Sequence, residues 1–114
     1  MSRRSIELLI EDLWEAVEKV ERYTVGFDHD NFIKDDKTID SVVRNFEIIG
    51  EAAGKLPPEF RDNHPDVQWK KIIGLRHRIV HDYFDIDVEI IWQIIKSYIP
   101  GLKQNLRLIR QAKS

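Results

Sequence analysis

Three residues suited to phosphate chemistry lie close together in the second half of the chain. Arg76, His81 and Tyr83 follow the pattern Arg-x-x-x-x-His-x-Tyr. The planar guanidinium of arginine binds a phosphate through parallel hydrogen bonds. The imidazole of histidine exchanges a proton near neutral pH. Together they supply the two groups needed to cleave an RNA phosphodiester without a metal ion.

Other catalytic patterns are missing from the sequence. There is no cysteine, no glycine-rich phosphate loop and no serine nucleophile elbow. His77 and His81 have the spacing of two metal ligands on one helix, but no third ligand is evident, and Arg76 and Arg78 would repel a cation. We therefore predict neither a metal site nor a cofactor. The two remaining histidines, His29 and His64, are predicted to be ordinary surface residues.

Length and composition indicate one globular domain over residues 1–114, small enough to gain stability from dimerisation. The net charge of −2 is unevenly distributed. Residues 1–57 carry 8 basic and 13 acidic residues, whereas residues 58–114 carry 10 and 7. The positive half contains the motif, which suits an anionic ligand. For the C-terminal tail alone, a solvated helix face explains the positive charge equally simply.

The sequence predicts a cytoplasmic protein that does not enter a membrane. Absence of cysteine fits a reducing compartment. The basic N-terminus precedes an apolar stretch, but Glu7, Glu11 and Asp12 interrupt that stretch, unlike the core of a signal peptide. No run approaches the roughly 18 apolar residues of a membrane span.

Apolar residues recur at helical spacing in four segments, which predicts an all-α fold. The first helix covers residues 5–24, and the second runs from Thr38, its N-cap, to Lys55. A short helical turn covers residues 58–61. The third long helix is capped by Asp66 and continues through Val80. The last is capped by Asp85 or Asp87 and kinks or restarts at Pro100-Gly101. The product is an antiparallel bundle of four main helices plus a short helical turn.

On one straight third helix, Arg76 falls within the apolar stripe. A buried arginine needs a partner, and an ion pair with Glu47 or Glu51 of the second helix would supply one without any catalytic role. His81 lies about 140° around the helix from Arg76, so the two side chains do not converge within one straight helix. Either the helix unwinds near His81, or a second protomer brings its own copy across a twofold axis. The second alternative predicts a composite site in a homodimer.

The surrounding residues resemble the HepT-like branch of the HEPN superfamily, the toxin family of HepT/MntA-type toxin–antitoxin systems. One matching string is Trp69-x-x-Ile-Ile-Gly-Leu-Arg-x-x-Ile-Val-His-x-Tyr83, followed by Asp87-x-Glu89-x-Ile-Trp92. Another is the run Ile48-Ile-Gly-Glu-Ala-Ala-Gly-Lys-Leu-Pro57. The likeness covers nearly the whole chain.

This resemblance implies a dimeric helical bundle that acts as a metal-independent endoribonuclease toxin. Arg76 and His81 would be the catalytic residues, with His77, Tyr83 and Glu51 in supporting roles. The implied partner is a minimal nucleotidyltransferase antitoxin that attaches AMP to Tyr83. The residue after the arginine is often asparagine in the family and is His77 here, so the acid–base assignment between His77 and His81 stays open. The alternative function is a non-catalytic HEPN partner or nucleotide-binding module of a nucleotidyltransferase.

Overall fold

The computed structural model describes residues 4–79 and 86–112, with Arg76 and Ile79 described by their backbone alone. These residues form helices and connections and contain no β-strand. The helices are α1 (Ile6–Thr24), α2 (His29–Phe32), α3 (Asp36–Lys55), α4 (Pro58–Asp62), α5 (Trp69–Ile73), α6 (Leu75–Ile79), α7 (Val88–Ser97) and α8 (Ile99–Ala112). The predicted all-α helical bundle is confirmed.

The first two long helices match the sequence pattern closely. Ser5 caps α1 by accepting a hydrogen bond from the Leu8 amide at 3.1 Å. Helix α3 starts two residues before the predicted N-cap, because the Asp35 carboxylate accepts the Thr38 amide at 3.0 Å and thereby satisfies a free donor of the first turn. The connection between the two helices contains α2, a single helical turn that the sequence interpretation missed.

The prediction of one continuous third helix was wrong, because this segment is divided at Gly74 into α5 and α6. Gln68, rather than Asp66, is the N-cap, and it makes no side-chain capping bond. The division also invalidates the straight-helix projection that placed Arg76 relative to Trp69. Val80 and His81, which would show where the helix ends, lie outside the described residues.

The last helix is divided at Tyr98, close to Pro100, as the proline predicted. Asp87 is the N-cap of α7, and its carboxylate accepts the Ile90 amide at 3.1 Å. The other candidate cap, Asp85, lies outside the described residues. Two of the four predicted helices are therefore each built from two shorter ones.

The apolar faces of α1 and α3 form the centre of the core. Side chains that are fully shielded from water include Leu13, Val17, Val42, Phe46 and Ile49. Residues from α5 to α8 close the core from the other side: Ile72, Leu75, Ile91, Ile99 and Leu106. Burial of these apolar faces is the main stabilising contribution in a helical bundle.

Helix α8 packs antiparallel against α1. Lys103 pairs with Glu21 at 2.6 Å. Arg110, about two turns further along α8, pairs with Glu11 at 2.7 Å. Between these pairs the Trp14 ring lies 4.4 Å from the Arg110 guanidinium. Ion pairs and a cation–π contact therefore align the last described helix with the first.

No helix in residues 4–79 and 86–112 is long and apolar enough to cross a membrane.

Candidate functional site

The structure describes only part of the predicted site. Arg76 is the second residue of α6, but only its backbone is described, and His81 and Tyr83 lie outside the described residues. His77 is exposed on α6, and Glu51 is exposed on α3, where its carboxylate lies 3.4 Å from the Lys55 ammonium. An ion pair between Arg76 and Glu47 or Glu51 therefore stays a prediction.

An open cleft of about 400 Å³ brings His77 and Glu51 together, although they are 26 positions apart in the chain. Its wall also includes Glu47, one helical turn before Glu51, and the floor is formed by Phe46, Gly50 and Ile73. The cleft thus combines an imidazole, which can donate or accept a proton, with two carboxylates, which accept hydrogen bonds. Arg76 immediately precedes His77 on α6.

Gly50 lets α3 approach the end of α5 directly. A Cβ at this position would lie 3.2 Å from the Ile72 carbonyl oxygen and 3.4 Å from that of Ile73. These carbonyls belong to the last turn of α5, immediately before the break at Gly74. The backbones of α3 and α5 therefore approach each other closely at Gly50. This close approach sets the position from which α6, with Arg76 and His77, begins.

We expect Gly50→Ala to lower the free energy of unfolding by about 1–2 kcal/mol, because the added methyl group presses on backbone atoms that cannot rotate away. Gly54→Ala is the matched control on the same helix, since its Cβ would meet only the Ile73 Cγ2 at 4.0 Å. Alanine there should raise stability by about 0.5–1 kcal/mol through helix propensity alone. Urea denaturation of both variants measures the difference, and equal stabilisation would refute the close approach.

Tyr98 connects the end of α7 to the beginning of α5. Its hydroxyl donates to the Gln68 carbonyl oxygen at 3.2 Å. Burial raises the pKa of Tyr98 to about 12, and the nearby Arg78 cation opposes this only in part. The phenol therefore remains neutral and keeps its donor proton throughout the physiological range. Helix α7, which follows the motif in the chain, is thereby held to α5, which precedes it.

The sequence interpretation of His29 as an ordinary surface residue was wrong, because its imidazole pairs with Glu89 of α7. His64 also makes specific contacts. Its Nδ1 lies 2.9 Å from the Phe60 carbonyl oxygen, and its ring packs on the Phe60 ring. Glu89 lies 60 positions after His29 in the chain, so no spacing rule identifies that contact. The sequence string Asp87-x-Glu89-x-Ile-Trp92 includes Glu89, but it does not indicate which residue Glu89 contacts.

Comparison with known proteins identifies the family. The model of the HepT-like family, described as "Ribonuclease HepT-like", matches residues 13–109. The chain belongs to the HepT-like family. This confirms the resemblance on which the predicted fold and activity rested, and it covers every helix from the middle of α1 to the last turn of α8.

Three relatives of this HepT-like chain match it along almost their whole length. A protein of Thermococcus cleftensis named "Probable ribonuclease HepT" is 36% identical over 96% of this chain and 99% of its own. A protein of Caldanaerobacter subterraneus, named as a candidate RNase, is 37% identical over 96% and 94%. One of Methanocaldococcus jannaschii, also named as a candidate RNase, is 34% identical over 96% and 100%. No solved structure gives a significant match.

Proposed function

We propose that this HepT-like chain is a metal-independent endoribonuclease and the toxin of a toxin–antitoxin pair. The observation that carries the proposal is the intact Arg76, His81 and Tyr83 pattern in a chain whose full-length relatives are named as ribonucleases. Charge supports it as well, because the half of the chain that contains the motif is the positive half. A positive surface favours the approach of RNA phosphates.

In the proposed reaction, His81 takes the proton from a ribose 2′-hydroxyl. The freed oxygen attacks the adjacent phosphorus, so that an O2′–P bond forms and the P–O5′ bond breaks. The departing 5′ oxygen receives a proton from His77 or from His81 of a second protomer. Arg76 binds the phosphate and stabilises the charge that develops on it. The products are a 2′,3′-cyclic phosphate and a 5′-hydroxyl, and no step requires a metal ion.

The site is proposed to be composite. Two protomers related by a twofold axis would place the Arg76 of one near the His81 of the other. Tyr83 would orient the RNA by hydrogen bonding to a phosphate. Transfer of AMP to its hydroxyl by a nucleotidyltransferase antitoxin would place bulk and negative charge where the RNA phosphate binds, which inhibits by occlusion and repulsion.

The test uses the purified full chain and a labelled single-stranded RNA in excess EDTA. We expect cleavage to continue, with cyclic phosphate and 5′-hydroxyl termini identified by mass spectrometry. Incubation with ATP, Mg²⁺ and the minimal nucleotidyltransferase that we expect beside this gene, before EDTA is added, should stop cleavage by the wild type. A Tyr83→Phe variant should keep the rate that it shows without this incubation. Cleavage that requires Mg²⁺ would refute the metal-independent mechanism. An intact RNA under all conditions would favour the non-catalytic partner module instead.

A further inference from the structure

His29, in the single turn of α2, reaches across the bundle surface to the first turn of α7. Its Nε2 lies 2.8 and 2.9 Å from the two carboxylate oxygens of Glu89, 60 positions later in the chain. Its Nδ1 lies 3.5 Å from a carboxylate oxygen of Asp30, the next residue. A protonated imidazole has a donor on each nitrogen, so both carboxylates stabilise the charged ring.

Aromatic packing fixes the orientation of this imidazole. The Trp92 ring, one turn after Glu89, meets the His29 ring edge-on, with centroids 6.3 Å apart and an interplanar angle of 73°. Trp92 also packs against the buried Phe32 ring, with centroids 5.1 Å apart. His29 thus contacts both a carboxylate and an indole of the same helix. We call this group of His29, Phe32, Glu89 and Trp92 the α2–α7 contact.

The position of the α2–α7 contact connects it with the proposed site. Glu89 lies two residues after Asp87, the N-cap of α7. In the chain, Asp87 follows Tyr83 by only four residues and His81 by six. Any restraint on the first turn of α7 therefore acts within a few residues of the motif along the chain. Tyr98 restrains the other end of the same helix.

We propose that His29 is a positioning residue, which holds the first turn of α7 through Glu89 and Trp92 more firmly when its imidazole is protonated than when it is neutral. The consequence for RNA cleavage rests on the function proposed above, whereas the restraint on α7 does not. The neutral ring keeps one hydrogen bond to Glu89 but loses the ionic attraction, so the restraint weakens with rising pH without disappearing.

Among the described residues, two charged groups contact the imidazole and a third lies over Trp92. Glu89 comes from α7 and Asp30 from α2 itself, while Lys96 of α7 lies over the Trp92 ring at 5.3 Å. The hydrogen bond to Glu89 is the main cause that raises the pKa of His29 above its ordinary value of 6.5, and Asp30 contributes less. When folding raises the pKa of a group, that group contributes its full stabilisation at pH values below its pKa in the unfolded chain. That stabilisation is lost as the pH rises from 6.5 through the higher folded value.

Two substitutions reproduce the two states of the imidazole. His29→Lys keeps a positive charge that does not titrate near neutral pH, and His29→Gln keeps a hydrogen-bond donor without the charge. Glu15→Gln is the matched control, because it removes an exposed ion pair with Lys19 on α1, far along the chain from α7. All variants are made in the full chain, and thermal unfolding verifies that each is folded.

The first measurement is amide exchange at Ile91, whose N–H donates to the Asp87 carbonyl oxygen at 3.1 Å in the first turn of α7. After correction for the intrinsic pH dependence, we expect wild-type protection to fall about two- to five-fold between pH 6 and pH 9, the size expected for an exposed ion pair. His29→Lys should show no such fall. His29→Gln should show low protection throughout, and Glu15→Gln should follow the wild type.

The second measurement is the rate of RNA cleavage at each pH, taken as the ratio of variant to wild type so that the titration of His81 cancels. We expect His29→Gln to be about two- to five-fold slower at pH 6 and equal to the wild type at pH 9. Unchanged Ile91 protection in His29→Gln at pH 6 would overturn the restraint. Altered protection with unchanged cleavage would overturn the positioning role. A wild-type chain that cleaves no RNA would refute the proposed function, and the exchange data would still decide the restraint.

Discussion

Replacement of His81 by alanine is expected to slow RNA cleavage by about 10²–10⁴-fold, the contribution of a well-placed general base. The proton of the 2′-hydroxyl would then have to pass to water, which is a poor base and is not positioned. Initial rates on a short labelled RNA measure the loss under single-turnover conditions. The far-ultraviolet circular dichroism spectrum should stay that of a helical bundle.

His77→Ala is the informative companion to this variant. If His77 protonates the leaving oxygen, its loss should also lower the rate, and the alkaline limb of the pH–rate profile should move. If His77 only lines the cleft beside Glu47 and Glu51, its loss should leave that profile unchanged. Cleavage that survives in His81→Ala at the wild-type rate, in protein free of contaminating nuclease, would contradict the proposed mechanism.

Replacement of Arg76 by alanine is expected to lower the cleavage rate by about 10²–10³-fold, as for the loss of a donor that stabilises transition-state charge. Arg76→Lys should recover only part of this loss, because an ammonium lacks the planar fork of donors. Arg78→Ala is the matched control, since Arg78 is exposed on the same helix two positions away. An equal loss in Arg78→Ala would indicate that general positive charge, rather than phosphate binding by Arg76, promotes cleavage.

The same variant tests whether the site is shared between protomers. Neither Arg76→Ala nor His81→Ala should cleave RNA alone, but a mixed dimer with a composite site contains one intact Arg76–His81 pair. Subunit exchange between equal amounts should therefore restore about a quarter of the wild-type activity, because half of the dimers are mixed and each has one good site of two. No recovery after verified exchange would show that both residues act within one protomer.

Much of the fold follows from local patterns that the sequence displays openly. Ser5 and Asp87 are side-chain caps at the starts of amphipathic stretches, and Pro57 and Pro100 mark where helices end or restart. Such features act over a few residues, so they can be identified without knowing what lies opposite. The family resemblance extended the prediction to the activity, and the assignment of Arg76, His81 and Tyr83 to the site stays a prediction.

The errors arose where tertiary contacts decide the structure. The apolar spacing on either side of Gly74 suits one continuous helix, yet α3 meets the end of α5 at Gly50 and the helix divides. The sequence around His29 likewise contains no pattern that predicts its contact with Glu89. Both features depend on which helices become adjacent, and the pattern of a single segment does not contain that information.

The contact between α1 and α8 has a consequence for biosynthesis. Helix α8 follows the Arg76–Tyr83 motif in the chain, and its Lys103 and Arg110 pair with acids of α1, which is synthesised long before it. During translation, the side of α1 that receives α8 stays uncovered until α8 has left the ribosome, so the core is closed only after the motif has been made. Completion of this bundle is therefore tied to the synthesis of α8, and a nascent chain that ends before α8 contains the motif without the finished scaffold.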